Sequence, residues 1–291
     1  MQAPTPLEQA LGTIRERASA ADPRDPGAAS EALALVILAL EASGTEARDL
    51  LPLRRLLTRW QGTTGAVLVD PAMPQAYWPT GWAVLAWRNE PALTVPRVRA
   101  VHFLRVACGA RLPRSEGQLG HDPTLVGWPW IGGTHSWVQP TSLALLALDA
   151  ERGDGEDRVA EAVRLLLDRQ LPDGGWNYGN TRVFRNTLRP LPEDTGYALA
   201  ALRPHADARQ VEASLAYLAS AAPRIRAPAA LAWSLLGLAA WGRRPDSAGD
   251  WIDESLAHQS QFGPYPPRYL AQLAIAHYAE GGLASLISSR G

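Results

Sequence analysis

Two kinds of apolar pattern alternate along this chain. In the stretch Glu156 to Gln170, Val159, Val163, Leu166 and Leu167 recur at helical spacing, while Arg158, Arg164 and Asp168 face elsewhere, which predicts a helix with one wet face. The other pattern is short and rich in Ala and Leu on nearly every side, as in Ala32 to Leu40, Thr141 to Ala150, Thr195 to Leu202 and Pro228 to Ala240. A helix that is apolar all round has to be buried. Pairing each amphipathic stretch with the buried one that follows it predicts six hairpins: Thr5–Glu41, Ala47–Arg88, Pro96–Glu151, Glu156–His205, Asp207–Trp241 and Asp246–Ala279. Their period of about fifty residues marks a repeated supersecondary unit. An open solenoid needs terminal repeats with polar outer faces, and neither end shows them. The expectation is an all-α fold, an (α/α)6 toroid of six helical hairpins with inner and outer helix barrels. It forms one domain over residues 1–291, with the two termini near each other.

Composition narrows the function more than the fold. The chain has 291 residues, 46% of them hydrophobic, and a net charge of -1. It shows no basic run, so nucleic acid is not an expected partner. All of its positive side-chain charge is arginine, which excludes Schiff-base chemistry and a lysine general base. Cys108, the sole cysteine, has no partner for an internal disulfide. The start, MQAPTPLEQALGTIRER, lacks the basic and apolar regions of a secretory signal, which sets a cytoplasmic location as the expectation. The longest apolar run, Ala32 to Leu40, is far short of the roughly 20 residues that cross a bilayer, so no transmembrane segment is expected; peripheral membrane contact stays open.

Loop length points to one side of the molecule. The connections Gly62–Tyr77, Leu112–Gln139 and Leu171–Glu193 are long, whereas Ala221–Ala227 and Phe262–Pro266 are brief, and long irregular connections in compact domains commonly carry function. The long ones hold Tyr77, Trp78, Trp128, Trp130, Trp137, Trp176 and Tyr178, and with them His121, Asp122, His135, Asn177, Asn180, Arg182, Arg185 and Arg189. All three lead from an outer to an inner helix, so they share one rim. There the inner helices present free N–H groups and the positive ends of their dipoles, which favour negative charge.

The segments Arg169 to Asn180, RQLPDGGWNYGN, and Gly127 to Leu148, GWPWIGGTHSWVQPTSLALLAL, resemble the repeats of the squalene-hopene cyclase and protein prenyltransferase superfamily. The likeness extends over residues 55 to 205, and the flanks share only the periodicity. It implies a six-hairpin α-toroid in which Gln170 and Trp176 form a structural QW motif. Gln61 to Val67 and Gln259 to Tyr265 read as eroded copies.

The same resemblance suggests a chemistry. Class II terpene cyclases protonate an alkene or epoxide with a D-x-D-D motif at an inner-helix N-terminus, and its counterpart here is Leu191–Pro192–Glu193–Asp194–Thr195. Glu193 takes the donor position beside Asp194, while Leu191 replaces the first aspartate. Helix capping by the same residues is the alternative. His121, Asp122 and His135 are further acid–base candidates. Trp78, Trp82, Trp128, Trp130 and Trp137, with Asn177 and Tyr178, are candidates for lining an apolar pocket that stabilises a carbocation, although tryptophans also fill wide helical barrels. Arg182 and Arg185, with Arg189, would hold a phosphate or carboxylate, or simply face solvent. Prenyltransferase-like zinc is not expected, since Cys108 falls in the outer-helix stretch Arg97 to Ala110 and no H-x-x-x-H or C-x-x-C occurs; no metal and no cofactor is implied. The leading expectation is an enzyme acting on an isoprenoid or similar apolar small molecule with a polar or anionic head. A non-catalytic binding or scaffold toroid, and a toroid hydrolase or lyase for a glycan or peptide, are the alternatives.

Overall fold

The structure is a computed structural model that describes residues 5–19, 30–113, 120–151, 156–183 and 185–288. Part of the long connection Leu112–Gln139 and parts of the expected domain 1–291 therefore lie outside the described residues. The fold is all-α. In chain order the helices are α1 (Pro6–Ser19) and α2 (Ser30–Ala42), α3 (Ala47–Leu57) and α4 (Pro79–Trp87), α5 (Thr94–Val106) and α6 (Val138–Asp149), α7 (Glu156–Asp168) and α8 (Pro192–Leu202), α9 (Ala208–Ala221) and α10 (Pro228–Ala240), then α11 (Ala248–Ala257), the single turn α12 (Gln259–Phe262), α13 (Pro267–Tyr278) and α14 (Leu283–Ser288). Each expected hairpin contains one such pair. Among the described residues the only sheet is a two-residue ribbon, β1 (Arg182–Val183) with β2 (Asn186–Thr187), at the tip of the α7–α8 connection. Cys108 lies just beyond α5 and is exposed, not on the helix where the sequence pattern put it.

Helices α2, α4, α6, α8 and α10 are buried along most of their length and α13 over Leu270 to Ala276, as their Ala/Leu-rich sequences demand. Four of them open on proline, at Pro79, Pro192, Pro228 and Pro267, where the missing N–H costs nothing because first-turn N–H groups have no helical partner. Their packing runs in order: α2 against α4, α4 against α6, α6 against α8, α8 against α10, α10 against α13, and α13 back against α2. The amphipathic helices fit between successive members of this series, α3 on α2 and α4, α5 on α4 and α6, α7 on α6 and α8, α9 on α8 and α10, and α11 on α10 and α13. Helix α1 closes the sequence of contacts by packing on both α2 and α13, bringing the N-terminal hairpin to the last one.

The connections are tied to the buried helices by one recurring device. Thr195 Oγ1 accepts the Trp176 backbone N–H at 2.9 Å and donates back to the Trp176 carbonyl at 3.2 Å. Thr141 makes the same pair with Trp128, and Thr80 with Val67. The Trp176 indole donates to the Leu166 carbonyl at 2.6 Å and the Trp128 indole to the Leu104 carbonyl at 3.1 Å, so each tryptophan pins its connection to the preceding outer helix. Gln170 reaches Ser214 on α9, and Gln61 reaches the Pro96 carbonyl on α5, each bonding to the next hairpin. Gly174 turns the loop at φ +91°, and a Cβ there would lie 2.4 Å from the Ala213 backbone.

At the C-terminal end of α2, the buried Glu41 carboxylate accepts from Arg54 of α3 and Arg88 at the end of α4, both at 3.1 Å. Arg88 also donates to the Leu286 carbonyl, which fastens α14 to this side of the molecule.

Candidate functional site

The long connections lead into the starts of the buried helices, and the first turns of those helices carry polar side chains. Glu31 is the second residue of α2, Gln139 of α6, Glu193 of α8 and Arg268 of α13, while Trp78 immediately precedes α4. Arg268 interacts electrostatically with both Glu31 and Glu193, and the two glutamates with each other. In the sequence of helix contacts α2 and α8 stand three steps apart in either direction, and the Glu31 charge nevertheless acts on Glu193.

Three carboxyl groups in this cluster are held above the ordinary carboxylate range. Burial is the largest cause for Glu31, opposed by the charge of Arg268 and by the indole N–H groups of Trp78 and Trp82 beside it. Burial again leads for Glu193, followed by the Glu31 charge. Asp194, 2% exposed, is pushed up to about 7, first by burial and then by Glu193, while its own backbone N–H and the Gln139 amide favour the ionised form. Helix α8 receives no side-chain cap from Leu191, and Glu193, half-buried, turns toward Glu31 and Gln139. Asp194 does both jobs, keeping its own N–H company while sitting in the interior.

One turn below, the interior is aromatic. Trp82 of α4 and Trp233 of α10, also three steps apart in the contact series, meet with ring centroids 5.9 Å apart. Tyr197 of α8 stacks on Trp233 at 3.4 Å and meets Trp82 edge-on at 6.4 Å. All three are buried, and the Tyr197 hydroxyl is pushed well above its usual range, first by burial and then by Glu31, Glu193 and Asp194 above it. The Trp233 indole N–H is sealed from water and has the Tyr197 hydroxyl as its nearest partner. The carboxyl layer therefore rests on a packed aromatic floor.

A second group lies in the connections. His121 Nδ1 is 3.4 Å from Thr181 Oγ1, and burial, then Arg169 and His135, push His121 down to about 4. His135 is lowered by burial and by Arg169, and its ring packs on Trp137 at 4.3 Å. Both are thus mostly neutral at pH 7, and the same lowering makes them weaker bases than an ordinary histidine. Asp122 spends its carboxylate on the N–H and hydroxyl of Thr124, and its backbone N–H donates to Asp168, which is a loop-shaping arrangement. Arg169 ties the loops together through the Gly179 and Asp122 carbonyls.

The expected aromatic lining divides. Trp82 belongs to the floor, and Trp78 stands at the carboxyl layer with Trp130 edge-on to it at 5.2 Å. Trp137 and Tyr178 meet on the connection side, Tyr178 largely exposed. Trp128 is packed, 2% exposed, bonded to Leu104 and covered by the Arg158 guanidinium, and it occupies in its repeat the place Trp176 holds in the next. Asn177 is buried and shapes the loop by accepting the Gly179 and Asn180 N–H groups. Arg182 and Arg185 lie exposed on the β1–β2 ribbon, Arg182 donating to the Arg185 carbonyl, and have no anion-holding geometry between them. A surface depression lies along α3, among Arg48, Arg55 and Arg59, and shares no residue with the carboxyl layer.

Glu31, Gln139, Tyr197, Trp233 and Arg268 were not legible as site residues. The signal available for two of them was a polar residue directly at the start of an Ala/Leu-rich run, Glu31 before Ala32 to Leu40 and Arg268 just after Pro267. No group of three or more His, Cys, Asp or Glu among the described residues has an arrangement that would hold a metal ion. No described helix is long and apolar enough to cross a membrane. Compared with protein-family models the chain matches none, and compared with curated proteins it has no significant match.

Proposed function

We propose that this chain is a single (α/α)6 toroid that acts as an acid-initiating enzyme on an apolar, isoprenoid-like small molecule, with Glu193 and Asp194 as the proton-donating pair. The cyclic order of helix contacts supports the toroid. The observation that carries the activity is the gathering of Glu31, Glu193 and Asp194 from two non-adjacent buried helices, with all three carboxyls holding protons more tightly than usual. A carboxylic acid retained near neutral pH in a desolvated place is suited to giving a proton to a weakly basic group. Beneath it, Trp82, Tyr197 and Trp233 offer ring surfaces of the kind that stabilise positive charge.

This arrangement also refines the substrate. The first-turn acids already occupy the positive ends of α2 and α8, so an anionic head would be repelled from the carboxyl layer and could be met only by Arg268, which is exposed. A neutral head, an alkene or an epoxide, fits the layer better. The test is conversion of a panel of linear isoprenoid alcohols, epoxides and diphosphates, with products followed by mass spectrometry. Turnover that falls at least about 100-fold in Glu193→Gln supports the reading. Unchanged turnover in Glu193→Gln and Asp194→Asn sinks the acid mechanism and returns attention to His121 and His135.

The packed floor favours one second reading, a non-catalytic ligand-binding toroid. Binding of an isoprenoid probe without conversion, unaffected by either substitution, would support that instead.

A further inference from the structure

We propose that the exposed face of α5 docks on an anionic lipid bilayer, with Val95, Val98 and Val106 entering the headgroup boundary and Arg99 and Arg105 meeting lipid phosphates at its edges. Nothing in this surface depends on the chemistry of the carboxyl layer.

The packing leaves one side of α5 uncovered. Ala100, Val101 and Leu104 are buried where the helix packs on α4 and α6. The other side is apolar as well: Val95 is 71% exposed, Val98 54% and Val106 63%. Among the described residues, the amphipathic helices α1, α3, α7, α9 and α11 leave no large apolar side chain exposed. Helix α7 turns Asp157 and Arg164 to water instead, and α11 turns Asp250, Asp253 and Glu254. A helix that is apolar on both sides is expected to be covered on both.

Charge selects the cover. Between Glu90 and Glu116 the chain has no acidic residue. Arg97 is paired with Glu151 and Arg111 with Glu161, whereas Arg99 donates only to the Gly62 and Thr63 carbonyls, at 3.1 and 2.8 Å. Among the described residues neither Arg99 nor Arg105 has an acidic partner. At about 3.6 residues per turn, Val95, Val98, His102 and Val106 fall in one arc, with Arg99 at one edge and Arg105 at the other. An apolar centre with cations along both edges is the pattern of a helix lying in the plane of a membrane surface, the guanidinium groups staying with the phosphates while the apolar side chains enter.

Exposed cations continue beyond α5, since the carbonyls that hold Arg99 follow closely on Arg59, with Arg55 one turn before it on α3. A partner helix laid along α5 would engage one row of cations, and a surface engages both. A second copy of the chain fits worse. A face about 20 Å long and 10 Å wide falls well short of the roughly 800 Å² per partner of a stable dimer, and two such faces would set arginine against arginine.

The test is co-sedimentation of the full chain with vesicles of phosphatidylcholine, alone or mixed with phosphatidylglycerol, over a series of salt concentrations. Binding is expected only to the mixed vesicles and to weaken as salt rises, because a net charge of -1 leaves the attraction to a local patch. Val95→Asp with Val98→Asp, and separately Arg99→Glu with Arg105→Gln, are each expected to lower vesicle affinity at least about tenfold. Arg209→Glu, a change of an exposed charge on α9, is expected to leave it unaltered. No binding to mixed vesicles at low salt overturns the proposal, as does binding that neither α5 pair alters or that Arg209→Glu lowers as much. Should the arginine pair not fold, the exposed valine pair decides. Retention of an acidic protein through the same side chains, with no binding to vesicles, would make the occupant a protein and overturn lipid docking.

Discussion

Asp194 serves two opposed demands. As a third helical residue it stays near its own N–H in the manner of a first-turn acid, and as a buried group beside Glu193 it holds its proton up to about pH 7. Its folded value lies above its ordinary one, so the folded chain binds this proton more tightly than the unfolded chain. Stability from this group is therefore fullest below its ordinary value and declines as pH rises toward 7. His121 works oppositely: pushed down to about 4, it favours the folded state increasingly as pH rises from there to its ordinary value. Asp194→Asn is expected to flatten the decline and to raise stability above pH 7 by about 2–4 kcal/mol, read from urea melts across pH. An unchanged pH slope would mean that Asp194 is solvated. The pair Glu193–Asp194 was visible in the sequence as a motif. Its environment was not, because desolvation and the Glu31 charge come from groups that are remote along the chain.

At the level of elements, the closest approach is that of α8 and α10. A Cβ on Gly196 would stand 2.1 Å from the Trp233 carbonyl oxygen, and Gly237 faces Gly196 from the other helix. This contact sets Tyr197 on Trp233 and so fixes the floor beneath the carboxyls. Gly196→Ala is expected to cost at least about 2–3 kcal/mol and to alter tryptophan emission, since backbone, unlike a flexible side chain, cannot yield. A stable variant with unaltered emission would show that the helices separate without disturbing the rings. The hairpin pairs were readable from periodicity. The threonine links of Thr80, Thr141 and Thr195 were missed, because Thr195 read as part of a cap and its real partner, the Trp176 backbone, is a tertiary neighbour.

Over the whole molecule, α1 completes the succession of contacts by bridging α2 and α13 with the buried side chains Leu7 and Ile14. Removing residues 1–19 is expected to lower the melting temperature by several degrees and to broaden the transition. Each fully buried Leu or Ile contributes about 1.5–3 kcal/mol, and both α2 and α13 would face water. A calorimetric transition as sharp and as high as that of the full chain would indicate that the closure is dispensable.

What the sequence determined by itself were the properties carried by local periodicity and composition. These were six pairs of helices, which member of each pair is buried, where the long connections fall, and the exclusion of lysine chemistry. Apolar spacing suffices for these because burial demands act helix by helix. Only the tertiary structure decided which polar residues share a place. Glu31, Glu193 and Arg268 belong to the first, fourth and sixth hairpins, and nothing in their local surroundings distinguishes them from ordinary first-turn charges. Electrostatic coupling depends on distance and on the water removed between groups, and both are set by how the helices meet. The same reason hid the packing of Trp128: its hold depends on the Leu104 carbonyl and the Arg158 guanidinium, neither of which its own segment contains.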